Sequence, residues 1–333
     1  MSDFCPLGVI IVSYNTCRLL RKCLMTLQGV AYEGPLDILV VDNASTDDSV
    51  QMVRTEFRDV RLIAMSRNLG FAQANNRAMS EMSHAEVLFL NPDAIVNPGA
   101  IAEMRKTLTA HPHAAVVGAQ LVSENGGLQP SSFAFPSLWR EFWNFLPELK
   151  GIFRVRDLAS GVSRLIPQLW RGSYRAISEA HQVDSIGGAC MLVRTNAFHQ
   201  VGGFSERFFL YHEEMELCYR LRQRGWEVWL EPRARVVHYE AQASGVRRFR
   251  LPPMPVLGYR LKGMDYFWAT HHPGLPHAVW RFMAFSLLGL RAFLCKGIAM
   301  AASAEARKRF AERGKSLMAL VAKLRGKTQG LDS

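Results

Sequence analysis

Five polar clusters hold the side chains whose types and spacing could do chemistry. Ser13-Tyr14-Asn15 follows the apolar run 9–12, and Asp42-Asn43-Ala44-Ser45-Thr46-Asp47 follows the run 38–41. An Asp after a strand can accept from a base or ribose, and an aromatic such as Tyr14 can stack on the base. Ser45 and Thr46 before a helical run serve equally well as helix caps. Asn68-Leu69-Gly70-Phe71-Ala72-Gln73-Ala74-Asn75-Asn76 puts a flexible glycine and several amides at a helix start, which suits a phosphate or nucleoside, or plain loop and cap chemistry. Asn91-Pro92-Asp93 ends a fourth apolar run. A lone carboxylate there can hold Mg²⁺ or Mn²⁺ while water and diphosphate oxygens take the other positions. Glu213, Glu214 and Glu216 place three carboxylates within four residues at a helix start, where the helix dipole alone would favour any one of them.

These clusters need a scaffold that presents strand ends together. Residues 9–13, 38–41, 61–64, 87–90 and 116–122 read as strands bounded by turn or capping residues. Between the first two, Leu19, Leu20, Cys23, Leu24 and Leu27 keep one face apolar at helical spacing. This alternation predicts a mostly parallel α/β sheet covered by helices on both faces, with ligands beyond the carboxyl ends of its strands. Residues 126–182, divided by Pro130, Pro136, Pro147 and Pro167, read as an irregular aromatic insertion with short helices. Regular patterning resumes with a Gly-Gly turn, a strand over 189–193, a Gly-Gly-Phe turn, a helix over 213–224 stopped by Gly225, and a strand over 227–230.

With 333 residues, 49% hydrophobic and 21% charged, the chain is a globular protein with a sizeable core, neither a disordered tail nor a collagen-like repeat. Its charge is uneven: 24 basic residues face 25 acidic ones in 1–244, and 16 face 4 in 245–333. The basicity therefore serves a local contact. A nucleic-acid partner is not expected, because no aromatic platform or DNA-binding motif accompanies the basic tail. Six cysteines without a CxxC pair predict reduced, mostly buried thiols. Residues 1–8 lack a basic start followed by a long apolar stretch, so a cytoplasmic location is the expectation.

Residues 278–302 form the longest apolar stretch, but Arg281, Arg291 and Lys296 interrupt it, which disfavours a transmembrane helix. These cations fall within roughly 140° on a helix and leave a wide apolar face, as in a helix lying in a membrane interface. A second stripe, Leu317, Leu320, Val321 and Leu324, is flanked by Lys315, Lys323, Arg325 and Lys327. Peripheral membrane association through 278–327 is expected; the alternative is a helix pair that packs on the protein with its cations solvated.

Taken together, Ile11-Val12-Ser13-Tyr14-Asn15, Val41-Asp42-Asn43-Ala44-Ser45, Asn68-Leu69-Gly70-Phe71-Ala72 and Asn91-Pro92-Asp93 closely resemble the family 2 glycosyltransferases of GT-A fold, particularly the rhamnosyltransferase-like branch. The second half agrees through Val183-Asp184, Gly187-Gly188-Ala189-Cys190, Gly202-Gly203-Phe204, the segment from Phe208 to Cys218, Gly225-Trp226 and Val236-Val237-His238. The likeness spans roughly residues 7–300. It implies a nucleotide-sugar-binding half over 1–125, the insertion over 126–182, an acceptor and catalytic half over 183–245, and a basic amphipathic helical tail over 246–333.

The resemblance also implies roles. Tyr14, Asn15, Asp42 and Asn43 would hold base and ribose, with Asn68, Gly70 and Asn75 shaping the pocket. Asp93 matches the last acid of the family's metal motif, and His238 a histidine near metal and diphosphate; the cofactor would be Mg²⁺ or Mn²⁺. Asn91 stands where that motif has its first acid. Glu214 matches the general base, an Asp in the family pattern, and Glu216 replaces a second Asp. Gly187, Gly188 and Glu213 would lie near the acceptor, a glycan or lipid-linked glycan, with Trp139, Trp143 and Trp170 in the same region. The expected reaction is an inverting transfer from a nucleotide-sugar donor, with dTDP-rhamnose first and galactofuranosyl or other hexosyl donors as alternatives. A non-catalytic nucleotide-sugar-binding subunit is the other reading that the Asn91 and Glu214 departures leave open.

Overall fold

A computed structural model of the chain describes residues 6–29, 34–145, 178–239, 254–301 and 304–325. Most of the expected insertion, including Trp170, lies outside them, as do Lys327 and the side chains of Trp143, Arg291, Lys296, Lys323 and Arg325. The chain divides into two compact units, residues 1–135 with 171–251, and residues 136–170 with 252–333.

The first unit is built on a nine-stranded sheet. β1 (Leu7–Ser13), β2 (Leu36–Asp42), β3 (Arg61–Ala64) and β4 (Glu86–Leu90) run parallel in the order β3-β2-β1-β4. Next come β10 (Cys190–Arg194), β6 (Ala114–Val122), β11 (Glu227–His238) and β5 (Ala94–Val96), with β8 (His181–Gln182) also paired to β11. β6 and β11 are parallel to each other and to the first four, while β10, β5 and β8 run the other way. β7 (Ser132–Phe133) and β9 (Ser185–Ile186) form a separate antiparallel pair.

Strand side chains alternate between two cores, so both faces of the sheet are covered. Val9 and Ile11 of β1 join one core with Leu20, Cys23, Leu24 and Leu27 of α1 (Cys17–Gly29), Met52 and Val53 of α2 (Ser49–Glu56), and α4 (Ala100–Ala110). Ile10 of the same strand joins the other core, with α3 (Gly70–Met79), α6 (Thr195–Gln200) and α7 (Glu213–Gln223). Phe89 anchors that second core, with its ring centroid 5.5 Å from Phe198 and 5.2 Å from Phe204. The fully buried thiols are inert: burial pushes Cys190 and Cys218 up to about 12, and Cys23 higher still. The five described cysteines are free.

The expected strands are present, and two features differ from the sequence reading. β10 is inserted antiparallel between β4 and β6, an arrangement that a five-residue apolar run cannot announce. β11 does not end at Leu230 but continues to His238. Glu231-Pro232 breaks the apolar alternation there, and the ladder to β6 absorbs the break by a register shift between Glu231 and Arg235. Glu231, fully buried at the shift, accepts from Thr107 at 2.6 Å and Arg233 at 2.9 Å.

In the second unit, α9 (Leu275–Ala301) packs with α8 (Met254–His271), α10 (Ala304–Arg325) and α5 (Leu138–Phe145). Leu317 and Val321 of α10 are buried against Phe285, Leu288, Ala292 and Cys295 of α9, with Leu320 packed beside them, so these three residues of the second apolar stripe belong to helix packing, while the Leu324 side chain lies outside the described residues. Arg281 is not a solvated cation: it pairs with Asp265 at 3.2 Å and lies over the Phe285 ring. Leu275, Phe282, Leu290 and Phe293 point the other way, 76%, 74%, 43% and 71% exposed. At 3.6 residues per turn they fall within about 80° of one another, opposite the packed face. Among the described residues, no helix is long and apolar enough to cross a membrane.

Replacing Phe89 by Ala removes the ring on which Phe198 and Phe204 close, and should cost about 3–5 kcal/mol. Urea denaturation measures it; a loss below about 1 kcal/mol would contradict this packing account.

Candidate active site

The carboxyl ends of β1, β2, β4 and β11 and the amino ends of β10 and β5 share one edge of the sheet. At the β1 and β2 ends the polar groups tie the two loops together. Asn15, at φ 53°, takes the Ser45 hydroxyl with its backbone NH at 2.9 Å and accepts from the Thr46 NH at 2.7 Å. Asp47 accepts from the Cys17 NH at 3.0 Å and from the Ser49 NH at 3.1 Å. Tyr14, between these clamps, is 47% exposed. Asp42 is buried, and its Oδ2 accepts from the Ser45 NH at 2.9 Å, while its Oδ1 has no partner. A buried carboxylate oxygen left unsatisfied is costly, so this atom is suited to accept from a ligand.

Asn43 works differently. Its amide donates to Asn68 Oδ1 at 2.9 Å and to the Gly70 carbonyl at 3.1 Å, and accepts from the Leu69 NH at 2.9 Å. Asn68 also accepts from the Gly70 NH at 2.9 Å, and the buried Asn75 donates to the Phe71 carbonyl at 2.9 Å. These three amides shape the 68–71 turn. Gly70, at φ 81°, has no room for a Cβ, which would collide with the Phe209 carbonyl oxygen. That oxygen accepts from the Phe71 NH at 2.8 Å.

The Phe209 loop leads into α7 through two consecutive left-handed residues, Tyr211 at φ 72° and His212 at φ 73°. Of the three α7 carboxylates, Glu216 forms a bidentate pair with Arg220, both bonds 2.8 Å, and Arg220 also donates to the Val201 and Gly203 carbonyls. The i,i+4 spacing of Glu216 and Arg220 was the sequence signal for this pair. Asn76 braces the same turn through the Phe204 NH and carbonyl, at 3.0 and 2.8 Å. Glu213 is buried with an unpartnered Oε2, and burial together with the neighbouring Glu214 charge holds its carboxyl well above the ordinary range. Glu214 faces Gly188, where an added Cβ would lie 3.7 Å from the Glu214 Cβ. Gly187 donates its NH to the Ser131 carbonyl at 2.9 Å, and the Asn91 NH reaches the Ala189 carbonyl at 2.9 Å, bringing the β4 end beside the Gly-Gly turn.

Asp93 Oδ1 and His238 Nε2 are 3.4 Å apart. The His238 ring also contacts Gln129 Oε1 through Nδ1 at 3.2 Å, and Gln129 Nε2 donates to the His238 carbonyl at 3.0 Å. Gln129 stands in the segment read as irregular, where no periodicity marks it. Among the described residues no cluster of three or more His, Cys, Asp or Glu forms a metal cage. Asp93 supplies one carboxylate beside the His238 imidazole, and Mg²⁺ commonly binds through one or two carboxylates plus substrate phosphates.

The sequence profile described as Glycosyl transferase family 2 matches residues 8–165. An N-acetylglucosaminyl-diphospho-decaprenol L-rhamnosyltransferase of Mycobacterium tuberculosis is 30% identical over 308 residues, 88% of this chain and 93% of that one. The chain belongs to glycosyltransferase family 2. It is a rhamnosyltransferase-like glycosyltransferase, and the reading as a binding subunit without chemistry is set aside. The hexosyltransferase Agl10 of low-salt glycan biosynthesis in Haloferax volcanii is 27% identical, covering 65% of this chain and 62% of that one. In fold, this glycosyltransferase is similar to GalNAc-T7 solved with UDP, GalNAc and Mn²⁺, at a TM-score of 0.51 and 13% identity over 81% of this chain and 51% of that one. The mixed, mostly parallel sheet with helices on both faces is thus a GT-A-like α/β fold.

The raised Glu213 carboxyl makes a stability prediction. The folded protein keeps a proton that the unfolded chain loses above the ordinary value of 4.5, so stability falls as pH rises through that window, by up to about 1.4 kcal/mol per pH unit. Glu213→Gln should remove that part of the decline. Urea midpoints at pH 5, 6.5 and 8 compare the two proteins; identical pH slopes would contradict a neutral Glu213.

Proposed function

We propose that this glycosyltransferase moves L-rhamnose from dTDP-rhamnose to a glycan or lipid-linked glycan acceptor, inverting the anomeric carbon with the help of Mg²⁺ or Mn²⁺, in the synthesis of a cell-surface polysaccharide. The observation that carries the cation-assisted part is the meeting of Asp93 with His238 at 3.4 Å on the sheet edge. The choice of sugar is supported by the mycobacterial L-rhamnosyltransferase. A galactofuranosyl or other hexosyl donor is the second reading, supported by the similarity to the archaeal hexosyltransferase.

In this reading the unpartnered Asp42 Oδ1 accepts from the base or ribose, and the exposed Tyr14 ring stacks on the base. Asn15 fixes the loop that carries Tyr14, while Asn43, Asn68, Gly70 and Asn75 act on the pocket through the 68–71 turn. Asp93 and His238 would hold the cation, with Asn91 at the end of β4 as a neutral amide in place of an acid. A divalent cation bound there would offset the negative charge that develops on the departing diphosphate. Glu214 takes the proton from the acceptor hydroxyl as that oxygen attacks the anomeric carbon from the face opposite the diphosphate, whose bond to carbon breaks. Gly188 leaves the approach to Glu214 free of a side chain, while Gly187 faces Phe133 and Leu121. Burial and the neighbouring Glu214 charge raise the Glu213 carboxyl well above its ordinary value, which favours its protonated form.

A peripheral position on the inner face of the cell membrane fits the exposed stripe of Leu275, Phe282, Leu290 and Phe293 and the basic tail. A lipid-linked acceptor would then share a surface with the enzyme.

A panel of nucleotide sugars with and without Mn²⁺ or Mg²⁺ should yield nucleoside diphosphate from dTDP-rhamnose. That release should be lost on chelation and in Asp93→Ala, and Glu214→Gln should lower kcat by about 10²–10⁴-fold with acceptor present. Wild-type turnover by Asp93→Ala would overturn the cation reading, and release from another donor alone would shift the assignment to the hexosyl alternative. On anionic vesicles, Phe282→Ser with Phe293→Ser should weaken binding at least about tenfold, since each buried Phe contributes roughly 1.5–3 kcal/mol. Undiminished sedimentation of the double variant would exclude this face as the contact.

A further inference from the structure

Gln129 grips His238 twice, and the two contacts together decide where the imidazole carries its hydrogen. The His238 backbone carbonyl can only accept, so the Gln129 group 3.0 Å from it must be the NH₂. The other amide atom, 3.2 Å from His238 Nδ1, is therefore the carbonyl oxygen, which can only accept in turn. Nδ1 must then carry the hydrogen. In the neutral ring this leaves a lone pair on Nε2, the atom 3.4 Å from Asp93 Oδ1. A flipped amide would set its oxygen against the His238 carbonyl oxygen, two acceptors in contact, and so is disfavoured.

The grip is itself anchored. Gln129 is 6% exposed, its NH donates to the Leu121 carbonyl at 2.9 Å, and its own carbonyl accepts from Gln120 Nε2 at 3.1 Å and the Ser131 hydroxyl at 3.0 Å. Asp93 is buried too, and its carbonyl accepts from the Tyr239 NH at 3.0 Å, which holds the two chain segments together. A carboxylate oxygen and an imidazole lone pair facing each other at this distance repel unless positive charge lies between them. Left to itself, His238 would relieve the repulsion by placing its hydrogen on Nε2 and donating to Asp93. That arrangement would occupy the lone pair a cation needs.

We infer that Gln129 is a positioning residue that fixes His238 in the Nδ1–H tautomer, so that Nε2 and Asp93 present two acceptors to a divalent cation. The inference rests on the reading of Asp93 and His238 as cation ligands. Its counterpart in known sites is the partner group that orients a ligating histidine, whose loss typically weakens metal binding ten- to a hundredfold.

The test uses the full chain with ¹⁵N-labelled histidine at pH 8. Long-range ¹H–¹⁵N correlation reads the tautomer, the His238 signals are assigned by their absence in His238→Gln, and Mn²⁺ alone is titrated with affinity read by electron paramagnetic resonance. The wild type should show Nδ1–H, and Mn²⁺ should broaden the His238 signals selectively. Gln129→Met, which keeps the length and removes both bonds, should shift His238 toward Nε2–H and weaken Mn²⁺ binding ten- to a hundredfold.

An Nε2–H tautomer in the wild type, or Mn²⁺ affinity in Gln129→Met within twofold of wild type, would overturn the role of Gln129. The wild-type tautomer stands as the deciding measurement if Gln129→Met does not fold. Nδ1–H in the wild type with no Mn²⁺ binding would instead overturn the cation reading of Asp93 and His238, and the two failures are thereby distinguished.

Discussion

The junction at Gly70 is the contact on which the arrangement of the candidate active site depends. The Asn43 amide, held at the end of β2, fixes the turn of residues 68–70, and Gly70 lets the Phe209 carbonyl come close enough to bond the Phe71 NH. One side of this contact carries the strand ends proposed to bind the nucleotide. The other carries the loop that delivers Glu213 and Glu214 to the same edge. The two halves of the sequence motif set are therefore joined here by a backbone hydrogen bond over a position that tolerates no side chain.

The acids along this edge are distinguished by their surroundings. Glu216 is neutralised by a bidentate arginine and braces a turn, Glu213 is driven toward its protonated form by burial, and Asp93 faces an imidazole. Asp42 keeps one oxygen bonded and one unpartnered. Chemically similar residues, two of them within four positions, thus acquire separate surroundings because burial and partner differ.

The parallel strands and α1 were legible in the sequence because their apolar spacing follows directly from burial on both sheet faces, as Val9, Ile10 and Ile11 illustrate. The polar residues ending those strands were legible for the same reason, since a strand end in such a sheet borders a ligand crevice. The reversed direction of β10 was not, because pairing direction leaves no trace in a five-residue apolar run. The extension of β11 to His238 was hidden by Glu231-Pro232, whose interruption is absorbed by the sheet register. Asn43 shows a subtler limit: its residue type suited a ligand contact, but its amide is bonded to the 68–70 turn. Gln129 had no local signal at all, because its role depends on a partner 109 positions away.

That separation bears on how the protein matures. Asp93 precedes β5 and His238 closes β11, and these strands pair with His238 opposite Ala94. The pair is thus positioned by a sheet ladder between distant parts of the chain. Loop-closure entropy must be overcome before such a ladder forms, so these two side chains come together only as the sheet closes. A nascent chain released before residue 238 has been synthesised would hold the strand-end loops of β1 and β2 without their acid–imidazole counterpart. The Asp93–His238 pairing is then a property of the finished sheet, absent from any shorter intermediate.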